Sequence, residues 1–598
     1  MGGIFGCLGP VKENECRKMA QRLAHRGKEA RFFNYNDLFN VGTIISASGT
    51  NAFEHNGFVI VSDSRIYNFP EIEEHFNKNK YGITSGTEAE LILKLYCYEG
   101  MEGLERINGD FSFALWDEKQ NLISLGVDFL GCSPLYYTKL DSGAIAFASE
   151  YKALLAINGA VPEADPDMIQ HLQFVKKLPV GKTLLKNIFS VPPGSVVRFD
   201  LYGKSIDELT MSKLTLHVDH LSEAEAEVFL LENFYTAVRS RIGNWEKPGI
   251  ALSGGIDSIA VVCGLRKLYP EKTIHTFTAG YGKDDPEMVT AGKVAQRIKT
   301  NHHEVITSPD LLYSRLPELV WHNEDPFARS ESLQQLEIGR TAKDYVNVLV
   351  AGQGADGLFG GMPKYKLLWY ARQYPLMKNA IEDFYNQSQL SLESKCLMGK
   401  ILNVMYYKGK YKSPPPVVNC DYRPPEYKIP EIGEEFVNKV LVGGFQGGVS
   451  QSLHKFERNY AASGLVFTSP FYDKNFIKAS FRISDSLKIN HNSQKYIFRK
   501  ALRNCVPEEF LNVPKFPQRM NYDLTFSNVL DEVSARYLSK QQVEERGFFR
   551  YSDIERLKLR KPNKPYPAEN AMRIWTCLLT EIWAIEFLDK KGEGVFNP

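Results

Sequence analysis

With 598 residues the chain is too long for one hydrophobic core and calls for two to four domains. Its 43% hydrophobic and 24% charged residues are those of an ordinary soluble globular protein, and a net charge of +1 removes the electrostatic case for nucleic acid or an anionic membrane as the main partner. The nine cysteines are scattered, without a Cys-x-x-Cys pair or a zinc-like Cys/His spacing, which favours a reducing, cytoplasmic setting. No apolar run is long enough to span a bilayer, and Gly6 stands where an N-myristoylation signal needs Ser or Thr.

Residues 1–210 read as β-rich. Short apolar runs at 58–61, 111–116 and 122–127 are separated by turn signals at Asn56-Gly57, Asn108-Gly109 and Asp141-Ser142-Gly143. Helical periodicity appears over 13–23 and 88–98. The pattern predicts an α+β sandwich that closes around Pro192-Pro193-Gly194-Ser195, followed by a polar connector to about Leu221.

A helix over 224–241 comes next, and then an apolar strand runs into Leu252-Ser253-Gly254-Gly255-Ile256-Asp257-Ser258, after which helical spacing resumes. Two adjacent glycines let the backbone turn sharply and bring its N–H groups to an anion, and the positive end of the following helix adds to the field. This is a phosphate cradle, but neither a Walker A loop nor a dinucleotide fingerprint. A strand over 274–279, a helix over 286–299 and a buried strand over 346–351 follow, the last leading into Gly352-Gln353-Gly354-Ala355-Asp356-Gly357. Alternating apolar strands and helices predict a parallel α/β sheet whose ligand site lies at the strand carboxyl ends, where both glycine-rich loops meet.

In the first segment Gly3-Ile4-Phe5-Gly6, His25-Arg26-Gly27, Ile66-Tyr67-Asn68, Gly109-Asp110-Phe111-Ser112, Asp128-Phe129-Leu130-Gly131 and Ser149-Glu150-Tyr151-Lys152 occur in order. The segment resembles the glutaminase half of class II glutamine amidotransferases, the N-terminal-nucleophile fold found in asparagine synthetases. The cradle resembles the pyrophosphate loop of ATP pyrophosphatases, and the second loop that of asparagine synthetase-like domains. Glu287, Ser469-Pro470-Phe471-Tyr472-Asp473, Lys495-Tyr496-Ile497-Phe498-Arg499 and the spacing from Pro507 to Lys515 extend the likeness. It implies an amidotransferase-like α+β sandwich over 1–210 and an α/β parallel-sheet ATP-pyrophosphatase domain over 211–598.

The implied chemistry is attack of a substrate carboxylate on the α-phosphorus of ATP, giving an acyl-adenylate and pyrophosphate, then displacement of AMP by an amine. Leu252, Ser253, Gly254, Gly255, Asp257, Ser258, Gly352 and Gly354 are the expected nucleotide-binding residues. Asp257 and Asp356 are candidates to hold Mg²⁺, and Lys495 and Lys515 to neutralise charge that develops in the reaction. Each has a plainer alternative: a helix cap for Asp257, a turn for Asp356, a solvated surface position for either lysine. Gln353 either contacts substrate or braces its loop.

Departures from the resemblance set the expected function. Gly2 stands where those amidotransferases have their nucleophilic cysteine, and Cys7 falls inside a strand, where it cannot also carry the free α-amine. Asp63-Ser64-Arg65 replaces Asn-Gly-Glu, and Gly86 replaces an Asp. In the synthetase segment Gln353 and Gly357 replace glutamates, Ala328-Arg329-Ser330-Glu331-Ser332 stands in the acceptor stretch, and Val466 and Thr468 replace Glu and Arg. The expectation is an AMP-forming amide synthetase joining a small-molecule or peptide carboxylate to an amine not drawn from glutamine, of the β-lactam synthetase or lasso-cyclase kind. Its cofactors are ATP and Mg²⁺, it has no nucleic-acid or membrane partner, and a homodimer stays open. The runner-up is an ammonia-dependent asparagine synthetase; a tRNA-modifying enzyme is disfavoured by the near-neutral charge. The basic, aromatic and proline-rich insertion over 387–435 reads as a surface loop or a peptide grip, and the apolar spacing from Trp575 to Leu588 as core.

Overall fold

The computed structural model describes residues 2–9, 13–46, 49–158, 160–175, 177–327, 329–362, 365, 369, 434–490, 493–513 and 523–594. The first segment builds two six-stranded antiparallel sheets from β1 (Gly3–Leu8), β2 (Glu29–Tyr35), β3 (Phe39–Ile45), β4 (Gly49–His55), β5 (Phe58–Ile66), β6 (Gly109–Asp117), β7 (Leu122–Val127), β8 (Tyr136–Lys139), β9 (Ile145–Ala148), β10 (Ile188–Ser190), β11 (Ser195–Asp200) and β12 (Ser205–Thr210). Their orders are β10-β8-β9-β1-β3-β2 and β12-β11-β7-β6-β5-β4. The two-residue alternation of strands explains the layering: Val59 and Val61 of β5 enter the core between the sheets with Ile4, Leu8, Trp116 and Phe147. Ile60 points the other way, against Leu91, Leu95 and Phe76. On the far face of the first sheet Phe5 and Cys7 join Met19 of helix α1 (Glu13–Arg22).

Two expectations are corrected. Asn108-Gly109 is not a turn: Gly109 opens β6, and the buried Asn108 amide donates to Asp473 at 2.7 Å. The sandwich does not close at residues 192–195, because β11 and β12 continue the second sheet as an antiparallel pair. The sequence 205–210 reads as polar because β12 is an edge strand with every residue exposed or part-exposed.

After α2 (Glu223–Ile242), closed at its start by a Ser222/Glu225 capping box, comes the parallel sheet. It is formed by β13 (Pro248–Ala251), β14 (His275–Gly280), β15 (Asn301–Ile306), β16 (Val348–Ala351) and β17 (Val466–Thr468), in the order β15-β14-β13-β16-β17. The chain adds β14 and β15 on one side of β13 and then returns to lay β16 on the other. The switch in direction therefore falls between β13 and β16, where open α/β sheets leave a crevice at the strand carboxyl ends. Helices α3 (Ile256–Leu268), α4 (Pro286–Ile298), α5 (Ser330–Ala342), α6 (Ala355–Phe359) and α7 (Phe436–Ala461) cover it. The C-terminal helix α8 (Ala568–Ala584) buries Trp575, Leu578, Leu579, Ile582 and Trp583 as core.

A buried ionic seam joins the two segments. Arg26 reaches Glu150 of the sandwich and Glu457 of α7, while Arg458 reaches Glu324 and Tyr136. Such pairs add little net stability, because desolvation offsets their attraction, but they fix one register of the interface. No helix among the described residues is long and apolar enough to cross a membrane.

Candidate active site

The cradle follows β13 directly. Gly254 adopts φ +66°, which a side chain disfavours, and Gly255 is the N-cap of α3 without a side-chain acceptor, so the first-turn N–H groups stay open to an anion. The loop braces itself: Ser253 N–H donates to Ser258 Oγ at 3.1 Å, and Ser258 Oγ donates to the Gly255 carbonyl at 3.0 Å. Leu252 is tied to β14 through its N–H and the Phe277 carbonyl, 2.9 Å, and through its own carbonyl and Thr278 Oγ1, 2.7 Å. Gly254 also lies against the start of α4, where a methyl group would come within 3.0 Å of the Glu287 carbonyl oxygen.

The second loop closes on the first. A methyl group at Gly352 would lie 2.5 Å from the Ser258 nitrogen and 2.7 Å from the Asp257 carbonyl carbon, both backbone atoms that cannot swing aside. Gly352→Ala is therefore expected to cut kcat/KM for ATP by about 100-fold or more, since an ångström-scale displacement of a positioning loop costs that much. Steady-state pyrophosphate release on folded protein checks it. Gly354, at φ +110°, packs on Phe471 and Tyr472, and the Gln353 carbonyl accepts a hydrogen bond from Ser469 Oγ at 2.7 Å.

Asp257 and Asp356, from the two loops, converge on one cation. Lys495 Nζ lies 2.6 Å from both Asp257 carboxylate oxygens and 2.6 Å from Asp356 Oδ1. Burial works against the lysine charge, but the two carboxylates outweigh it and hold its pKa above the ordinary value. Two convergent acids beside a phosphate cradle suit Mg²⁺, which is held by one or two carboxylates together with substrate phosphates. Among the described residues no group of three or more ligating side chains forms a closed metal cage.

Behind the second loop stands a support that sequence reading missed. Arg241 of α2, 2% exposed, donates to Asp110 of β6 at 2.9 Å and to the Tyr472 carbonyl at 2.7 Å. Tyr67 donates to the same Asp110 at 2.7 Å and meets Thr468 Oγ1 at 3.1 Å. The sandwich thus buttresses β17 and the Ser469–Tyr472 turn that carries Gln353. The motifs Ile66-Tyr67-Asn68, Gly109-Asp110-Phe111-Ser112 and Ser469–Asp473 hinted at its members, but not at Arg241 or at their meeting.

At the head of the sandwich, Gly2 N–H donates to Asp63 Oδ1 at 3.2 Å, and its carbonyl accepts from Arg26 Nε at 2.5 Å. Cys7 is fully buried in β1, and the neighbouring Cys16 thiol and burial push its own thiol up, away from thiolate.

A family described as asparagine synthase matches residues 230–585, more than half of the chain. The chain belongs to the asparagine synthase family. A second family, the glutamine amidotransferase domain, matches residues 1–209. The chain is similar to asparagine synthetase [glutamine-hydrolyzing] 1 of Bacillus subtilis, 24% identical over 97% of this chain and 95% of that one. It is also similar to a putative asparagine synthetase [glutamine-hydrolyzing] of Mycobacterium tuberculosis, 25% identical over 89% and 85%, and to asparagine synthetase [glutamine-hydrolyzing] of Gallus gallus, 28% identical over 86% and 83%. This asparagine synthase family member is an ATP-dependent carbon–nitrogen ligase that forms AMP and pyrophosphate. Of its expected site residues, the structure brings Ser253, Gly254, Gly255, Asp257, Ser258, Gly352, Gly354, Asp356 and Lys495 together, with Leu252 and Gln353 holding the loops through backbone bonds. Lys515 and residues 387–433 of the insertion lie outside the described residues.

Proposed function

We propose that the enzyme adenylates a carboxylate and couples it to an amine taken from solution or from the substrate itself, without glutamine hydrolysis. The observation that carries this reading is a two-loop site suited to a nucleotide beside a sandwich in which Gly2, just ahead of β1, carries no side-chain nucleophile and donates its backbone N–H to Asp63. The relatives are named glutamine-hydrolyzing, and the absent thiol is the reason to depart from them.

In the proposed mechanism the open N–H groups of the cradle and of the α3 N-terminus hold the β- and γ-phosphates, while Asp257 and Asp356 hold Mg²⁺. That ion, when bound, neutralises phosphate charge and assists departure of pyrophosphate. Lys495, held beside the cradle at 2.6 Å from both acids, would neutralise the charge that moves onto pyrophosphate. Lys515 serves the second half of the reaction, and Gln353 faces the acceptor. Substrates are small molecules or peptides.

Mg-ATP, an amine mixture and a panel of carboxylic acids, with AMP and pyrophosphate followed together, test the proposal. Acid-dependent, equimolar release of both is expected; ADP and phosphate would sink it. A second reading, an asparagine synthetase using free ammonia, draws on the relatives' names and requires aspartate with ammonium to be the best pair in that panel.

A further inference from the structure

Lys495 stands between the two acids of the site, and its backbone is held in an uncommon way. Its φ is +55° and its ψ +34°, in the left-handed region, at the head of the helix Tyr496–Ala501. Residues with a long side chain persist in that region where their surroundings over-determine them, and such positions cluster at functional sites.

The preceding residue supplies the restraint. Gln494 Nε2 donates to the Gly360 carbonyl at 3.0 Å and to the Met362 carbonyl at 2.6 Å. Both amide hydrogens are thereby used, one on each side of Gly361. Those carbonyls lie just past α6, whose first turn carries Asp356. Gly360 closes α6 at φ +65°, and a methyl group on it would lie 2.5 Å from Ile489 Cδ1, so bare backbone is what lets Ile489 pack there. Ile489 in turn forms a β-bridge with Gln494, and Asn490 N–H donates to the Ser493 carbonyl at 3.0 Å.

Gly361 gives the second contact. A methyl group there would lie 2.0 Å from Asp356 Oδ1 and 2.0 Å from Lys495 Cε. The lysine stem therefore passes directly over bare backbone, between the two carbonyls that its own neighbour grips. A four-carbon stem ending in an ammonium is flexible by itself, and the two carboxylates cannot be its sole anchor, because in the proposed mechanism they also serve Mg²⁺. The grip on the backbone is independent of those acids.

We infer that Gln494 is a positioning residue for the adenylation step: its two bonds to Gly360 and Met362 set Lys495 at the cradle, where the ammonium meets the charge developing on pyrophosphate. The inference rests on the proposed amide-forming reading and names what holds the lysine. The position calls for an amide. Glutamate would set a carboxylate against two carbonyl oxygens, asparagine is one methylene short, and methionine keeps the length but donates nothing.

Two measurements test it. The first follows acid-dependent ATP–pyrophosphate exchange in Gln494→Met, Lys495→Met and the double variant. Gln494→Met is expected to lower kcat about tenfold or more while KM for ATP changes less than about threefold, since a displaced charge costs rate rather than ground-state binding. The double variant is expected to be no slower than Lys495→Met alone, because a residue that acts through another adds nothing once that other is gone. Losses that multiply, a loss confined to KM, or a Gln494→Met rate at the unmodified level overturns the inference. The second measurement needs no turnover: limited acetylation of the full-length protein, read by peptide mass spectrometry. Lys495 is expected to be labelled about tenfold faster in Gln494→Met than in the unmodified protein, as the local grip opens. The fully buried Lys488 should stay protected in both, which shows that the variant folds. Equal labelling of Lys495 overturns the inference. If no acid supports exchange in the unmodified protein, the ligase reading fails while the labelling result still judges the grip.

Discussion

Asp257→Asn is expected to lower pyrophosphate release by roughly 10²–10³-fold, the usual loss when one preorganised charge-stabilising group is removed from a closed site. The substitution keeps shape and removes half of the convergent acid pair, leaving Asp356 alone to hold Lys495 and, in the proposed mechanism, Mg²⁺. Because the loops meet at backbone distance around Gly352 and Ser258, neither carboxylate can shift to cover for the other. The loss should appear mainly in kcat, with a rise in the Mg²⁺ concentration needed for half-maximal rate. A fall of less than threefold in a folded variant would remove Asp257 from the metal role and leave it as a helix-capping residue.

The second large effect is on stability, and it concerns a lysine outside the site. Lys488 is fully buried, has no hydrogen-bond partner among the described residues, and sits with its Nζ 4.4 Å from the Phe481 ring centroid and 6.0 Å from that of Phe359 in α6. Burial lowers its pKa to about 7, against about 10.4 for a lysine in an unfolded chain. Between those values the unfolded state binds a proton that the folded state lacks, so this group makes stability rise with pH across that window. Below about pH 7 both states are charged and the whole penalty, about 4–5 kcal/mol at roughly 1.4 kcal/mol per pH unit, is felt. Lys488→Met keeps the alkyl stem and loses a cation–π contact of about 1 kcal/mol. It should therefore stabilise the protein by about 3 kcal/mol at pH 6.5 and by little at pH 9.5. Thermal midpoints at the two pH values decide it; a gain equal at both, or a loss at pH 6.5, would contradict the assignment.

The cradle was legible because its chemistry is local: two glycines, an acid and a hydroxyl between a strand and a helix state their geometry without help from distant residues. The apolar runs of β5 and β6 and the apolar spacing of α8 were legible for the same reason. β15 was not foreseen, since Asn301-His302-His303-Glu304 lies at the sheet edge and needs no apolar face. β12 was lost to the same polarity. Arg241, Asp110 and Tyr67 meet only because two segments dock. No spacing within a short window records such pairs. Lys495 was found by its motif, but its position between Asp257 and Asp356 is a property of the fold.

The most direct measurement uses glutamine labelled with ¹⁵N in its amide, incubated with the full-length enzyme, Mg-ATP, a carboxylate that supports pyrophosphate release and an unlabelled amine. An amide product without label and no glutamate above the protein-free control are expected. Enzyme-dependent glutamate release with ¹⁵N in the product would contradict it, and would mean that the sandwich beginning at Gly2 supplies the nitrogen after all.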